Sequence, residues 1–113
     1  MQTDPLSIET QAPSAGTRIL KLIGPLTLQT IFAFREQLRS EETPLTIVDL
    51  SATPYMDSAG MGELINFYVH SQKNGRRLIV AAPNYRVIEL FRLTRVDSLI
   101  TIAASLEEAQ GLA

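Results

Sequence analysis

The chain has 113 residues, 45% of them hydrophobic and 19% charged, with ten Lys or Arg against twelve Asp or Glu and a formal net charge of −2. Such a length sustains one core without staples, so one domain is expected over 1–113, ordered from about Asp4. The absence of cysteine excludes a disulfide framework, a thiolate zinc site and a cysteine nucleophile. Positive charge is dispersed, Met1 to Pro5 carries no basic stretch leading into an apolar one, and no run approaches the ~18 apolar residues of a membrane span. A cytoplasmic protein that binds neither nucleic acid nor membrane is expected.

Leu6, Ile8 and Thr10 alternate with polar neighbours as a half-buried strand does, and Pro13 to Gly16 supply a turn into a second strand, Arg18 to Ile23. The two should pair antiparallel. Gly24-Pro25 ends the strand, and Thr27 is placed to cap a helix from Leu28 to about Arg39 with Leu28, Ile31, Phe32, Phe34 and Leu38 as its apolar stripe. Arg35 falls inside that stripe and is expected to lay its stem on the core edge with the guanidinium in water. Leu45 to Leu50 is a nearly continuous apolar run, the mark of an inner strand covered on both faces. Met61, Leu64, Ile65 and Tyr68 then recur at helical spacing as far as Asn74-Gly75, where glycine suits a left-handed end.

Arg77 to Ala82 repeats the inner-strand pattern behind a solvated Arg76-Arg77. Pro83-Asn84 opens a third helix carrying Val87, Ile88 and Phe91, with Tyr85 expected to pack at the sheet edge. Leu99 to Ile102 reads as a short last strand, and Ser105 with Glu108 forms a capping box for a final helix. The order β-β-α-β-α-β-α-β-α implies an α/β fold: a mixed sheet with a parallel centre and helices packed on it.

Packing accounts for most of the chain but not for Tyr55-Met56-Asp57-Ser58-Ala59-Gly60-Met61-Gly62, between an inner strand and a helix. Two glycines in a first turn each cost about 1 kcal/mol of helix propensity, which makes sense where another backbone or a partner comes close. Ser58 should be exposed where free N–H groups and the positive end of the helix dipole favour an anion, so a phosphate here would be tolerated. The plainer alternative is that Asp57 or Ser58 only caps the helix and the glycines only tighten the connection.

Catalytic readings fail on spacing. A nucleophile elbow needs Gly-x-Ser-x-Gly, and Met56 stands where the first glycine should be. His70, the sole histidine, lies about 180° from the apolar stripe and points to solvent, so neither a base for Ser58 nor a metal site can be assembled. Gly60-Met61-Gly62 is followed by Glu63 rather than by a phosphate-loop lysine. No catalytic residue, metal or cofactor is expected, and the chain is read as no enzyme. Phe67 sits on the flank of the helix stripe, on an exposed side shared with Glu63 and Asn66, where it is a candidate partner contact.

Val48-Asp49-Leu50-Ser51 followed by Met56-Asp57-Ser58-Ala59-Gly60-Met61-Gly62 resembles the signature of the anti-sigma factor antagonist family, single-domain STAS proteins of bacteria. The likeness extends through Gly24-x-Leu26, Leu78-Ile79-Val80 with Pro83, Leu93-Thr94 with Asp97, and Ser105 to Ala109. It implies a STAS fold with helices mainly on one face of the sheet and a cytoplasmic role in partner switching. In that family the serine matching Ser58 is phosphorylated by an anti-sigma factor that is itself a kinase. The implied partners are such a serine kinase and a PP2C-type phosphatase, with Thr27, Asp57, Ser58, Ala59, Gly60, Met61, Gly62 and Phe67 as partner-binding residues.

A phosphate on Ser58 would end the contact and so control sigma-factor-dependent transcription. Two positions depart from the family pattern: Thr27 replaces a common aspartate in the loop facing the serine, and Arg95 replaces a common glycine after Leu93-Thr94. The alternative function is a non-switching STAS module that scaffolds a larger assembly or binds a ligand. A hydrolase using Ser58 lacks a base.

Overall fold

The computed structural model describes residues 5–112; the expected domain start at Asp4 lies outside them. Five strands form one sheet in the order β1-β2-β3-β4-β5: β1 Ser7–Ser14, β2 Thr17–Ile23, β3 Leu45–Ala52, β4 Arg77–Ala81 and β5 Thr101–Ala103. β1 and β2 are antiparallel, and β2, β3, β4 and β5 run parallel to one another. The helices are α1 Ile31–Arg39, α2 Ser58–Lys73, α3 Tyr85–Leu93 and α4 Leu106–Gly111. This is the expected element order and the expected mixed sheet.

Alternation along the inner strands divides the core in two. Leu20, Leu22, Val48, Leu50, Leu78 and Val80 face α1, α2 and α3, and close a core with Ile31, Phe34, Leu38, Leu64, Val87 and Phe91. The opposite side chains, Ile19, Leu45, Ile47, Ile79, Ala81 and Ala103, lie under α4 through Leu106 and Ala109. Three helices thus cover one face and a single short helix the other, which is why the inner strands read as continuous apolar runs.

Four local expectations are corrected. First, Thr27 does not cap α1. The Thr30 hydroxyl accepts from Thr27 N at 2.9 Å and donates to Pro25 O at 2.9 Å, building a turn that delays the helix to Ile31. Leu28 and Phe32 therefore fall out of the buried stripe, at 59% and 64% exposed. Second, Arg35 is not free in water but paired with Glu63, which α2 buries.

Third, Tyr85 is 76% exposed as the first residue of α3, because Asn84 takes the cap and accepts from Val87 N at 3.0 Å. Fourth, the last strand starts at Thr101, since Val96–Ser98 forms a 3-10 turn and leaves Leu99 exposed. That turn follows Arg95 at φ 62°, the left-handed region that favours glycine. The capping box at α4 forms its expected half, Glu108 N donating to the Ser105 hydroxyl at 3.0 Å.

Candidate functional site

β3 ends at Ala52 and α2 begins at Ser58, so residues 53–57 carry the chain from the sheet to the helix. This connection is fastened on several sides. The Thr53 hydroxyl donates to Leu22 O at 3.0 Å, and Asn84 Nδ2 donates to Pro54 O at 2.9 Å. Met56 pairs with Leu26 of the β2–α1 loop in a parallel bridge, through Leu26 N to Tyr55 O at 3.1 Å and Asp57 N to Leu26 O at 3.2 Å.

Asp57 is the N-cap of α2, in extended backbone. Its Oδ1 accepts from Gly60 N at 3.0 Å, and its Oδ2 accepts from Leu28 N at 3.1 Å. One carboxylate thus caps a helix and ties it to the loop before α1. The charge also sits at the positive end of the helix dipole, where it is stabilising.

With Asp57 as cap, Ser58 has no structural duty. It is the first residue of α2, it is exposed, and its hydroxyl takes part in no hydrogen bond among the described residues. At the first positions of a helix the N–H groups have no intrahelical acceptor, so a negative group on this hydroxyl would meet donors rather than carbonyls.

Gly60 is required for contact. A Cβ there would stand 2.4 Å from Leu26 O and 2.9 Å from Leu26 Cγ, so α2 can rest on the loop backbone only at a glycine. Gly62 meets nothing within 4 Å, and packing does not explain it.

The site residues expected from sequence separate into two groups. Asp57, Ser58, Ala59 and Gly62 lie at or near the surface of the α2 start. Thr27, Gly60 and Met61 are buried, which corrects their expected role as contact surface: they hold the loop and helix together from within. Thr27 turns its hydroxyl to Gln29 Oε1 at 3.0 Å.

Phe67 is corrected as well. It follows Ser58 by nine residues, about 180° around the helix and about 14 Å along it. The structure packs it half-buried beside Arg18, so it belongs to a different surface from Ser58.

The surface beside Ser58 instead presents Leu28, whose N–H is bonded to Asp57; Phe32, one turn further on; and Tyr55, with the Arg86 guanidinium 5.5 Å from its ring centre. Sequence reading missed these as surface residues. The signal was Thr30, a second candidate cap three residues after Thr27.

Arg35, whose guanidinium lies 5.3 Å from the Phe32 ring centre, is held above its ordinary pKa by its hydrogen bond to Glu63, against a smaller desolvation effect. His70 is exposed on the far part of α2. Among the described residues no three His, Asp or Glu side chains group as metal ligands, and no helix is long and apolar enough to cross a membrane.

A family model described as STAS domain matches residues 9–109. Among solved structures, the Thermotoga maritima protein TM1081 is similar at 19% identity, with 92% of each chain covered and a TM-score of 0.86. An anti-sigma factor antagonist from Mycobacterium paratuberculosis shares 19% identity over 95% of this chain and 92% of that one, with a TM-score of 0.85. The Bacillus cell fate determinant SpoIIAA in its phosphorylated form shares 17% identity over 93% and 97%, with a TM-score of 0.74.

Proposed function

The chain belongs to the STAS domain family, and on that premise we propose that it is an anti-sigma factor antagonist, a cytoplasmic partner-switching protein without catalytic activity. In this reading it binds an anti-sigma factor serine kinase through the start of α2 and is released when that kinase phosphorylates Ser58. A PP2C-type phosphatase reverses the step.

The observation that carries the reading is the exposed, unengaged Ser58 hydroxyl on the first turn of α2, with Asp57 alone doing the capping. The apolar side chains of Leu28, Phe32 and Tyr55 beside it supply a surface for a partner to cover. The phosphorylated SpoIIAA structure supports the modification by fold likeness.

Phosphorylation adds a charge of about −1.5 to −2 at the centre of that surface. Burying it without a counter-charge costs about 3 to 5 kcal/mol, and each 1.4 kcal/mol is tenfold in affinity, so release by two to three orders of magnitude is expected.

The test pairs phosphosite mapping of the protein from its own cells with affinity measurements on Ser58→Asp and Ser58→Ala. The reading expects a phosphate on Ser58 and binding lost in Ser58→Asp alone. A second reading, a non-switching module, is favoured by Thr27, a buried neutral residue where the family commonly has an aspartate. It expects the two variants to bind alike.

A further inference from the structure

Between the C-terminal end of α1, the loop to β3 and the middle of α2 lies a cleft of about 430 Å³. Its walls on α2 run from Glu63 to His70, about 8 to 18 Å along the helix axis from Ser58, so it is a separate place on the molecule.

At its base lies Arg18, only 2% exposed. The register of β2 on β3 sets Arg18 opposite Thr46, on the face under α1 and α2. Its Nε donates to the Thr46 hydroxyl at 2.9 Å, and its two terminal nitrogens donate to Gln37 O at 3.1 Å and Leu38 O at 2.8 Å.

These bonds cap α1 but use three of the five N–H groups of a guanidinium. No carboxylate among the described residues forms an ion pair with Arg18; the pairs are Arg35 with Glu63, Arg76 with Glu42, and Arg92 with Glu89. A buried charge is ordinarily paired. Here the Phe67 ring, its centre 6.0 Å away, and the carbonyl end of α1 offer only part of that compensation. Burial also lowers the Arg18 pKa, against the opposing influence of Glu41, so the surroundings leave the charge undercompensated.

The other charges of the cleft point the same way. Glu63 and Glu42 are spoken for by Arg35 and Arg76, so Arg18 and Arg39 face Glu41 alone. The volume lies at the lower end of the range for small-molecule sites, and Leu38 and Phe67 add an apolar wall to the cationic one.

We infer that this cleft is a binding site for a small organic oxyanion, its carboxylate or phosphate head seated on Arg18 and its apolar body against Phe67. A guanidinium is the side chain suited to either head group, through paired N–H donors.

The test is an NMR titration of the whole protein, following the Arg18 Nε–Hε signal, with benzoate, phenyl phosphate and, as the uncharged control, benzyl alcohol. A saturable shift with benzoate, phenyl phosphate or both is expected, and none with benzyl alcohol. A response to one probe alone identifies the head group as carboxylate or phosphate.

Because Arg18 also caps α1, its removal can cost the fold, so the variant that decides is Asn66→Trp, which fills the cleft from an exposed position. It is expected to weaken binding by at least about tenfold. The inference is overturned if the Arg18 signal shows no saturable shift up to about 10 mM probe. A benzyl alcohol response equal to that of the anions, or undiminished binding by Asn66→Trp, overturns it too.

Discussion

Gly60→Ala tests whether the start of α2 is set by its contact with the β2–α1 loop. The added Cβ would lie 2.4 Å from Leu26 O, whereas carbon and oxygen ordinarily approach to about 3.3 Å. One of the two backbones must therefore retreat by close to 1 Å. The bonds from Leu26 N to Tyr55 O and from Asp57 N to Leu26 O, already 3.1 and 3.2 Å, would open past the range of a hydrogen bond.

Two such bonds are worth about 1 kcal/mol each, overpacking adds about 1 to 3, and the better helix propensity of alanine returns about 1. The net loss is about 2 to 4 kcal/mol. Gly62→Ala, two residues along the same helix with open space around it, is the internal control and should gain about 0.5 to 1 kcal/mol. Urea unfolding measures both: with slopes of about 1 to 3 kcal/mol/M, Gly60→Ala should lower the midpoint by on the order of 1 to 2 M at unchanged slope. A Gly60→Ala midpoint at or above that of the parent would refute the reasoning.

Asp57→Ala removes the cap of α2 and leaves Leu28 N without its acceptor, an expected loss of about 1.5 to 3 kcal/mol by the same unfolding measurement. Leu28→Ser combined with Phe32→Ser should leave stability within about 0.5 kcal/mol, since both are exposed. On the proposed function it should weaken anti-sigma factor binding at least about tenfold by calorimetric titration. Arg95→Gly relieves a left-handed residue at a cost of about 1 to 2 kcal/mol and gives back about 0.5 to 1 through the freer unfolded chain. A net stabilisation of about 0.5 to 1 kcal/mol is expected in thermal or urea melts.

The layout of the fold was legible because its inner strands are covered on both faces and its helices begin at recognisable caps, Asn84 and Ser105 among them. The α2 start was legible for the same reason, Asp57 preceding a glycine-bearing turn. What escaped the sequence depended on contacts between distant residues. Thr27 and Thr30 both look like caps, and only the bond from Thr30 to Pro25 O decides for the second, turning Leu28 and Phe32 outward. Glu63 looked solvated because its partner Arg35 lies 28 residues away. Arg18 read as the polar beginning of a strand, and nothing nearby in the chain shows that β3 and the end of α1 enclose it. Arg95 was visible as a departure from a glycine, but its left-handed backbone shows only in the fold.

The fastening of residues 53–57 bears on how any modifying enzyme must meet Ser58. A serine in an unstructured tail can be drawn out as an extended strand across a catalytic groove. Here extension would strip the Asp57 carboxylate from both Gly60 and Leu28 and break the bridge of Met56 with Leu26. An enzyme acting on this hydroxyl therefore has to read a folded shape, the corner where a helix leaves a loop, and its selectivity rests on neighbours in space rather than on the local string of amino acids. A destabilised variant could lose its modification with Ser58 and every adjacent residue intact.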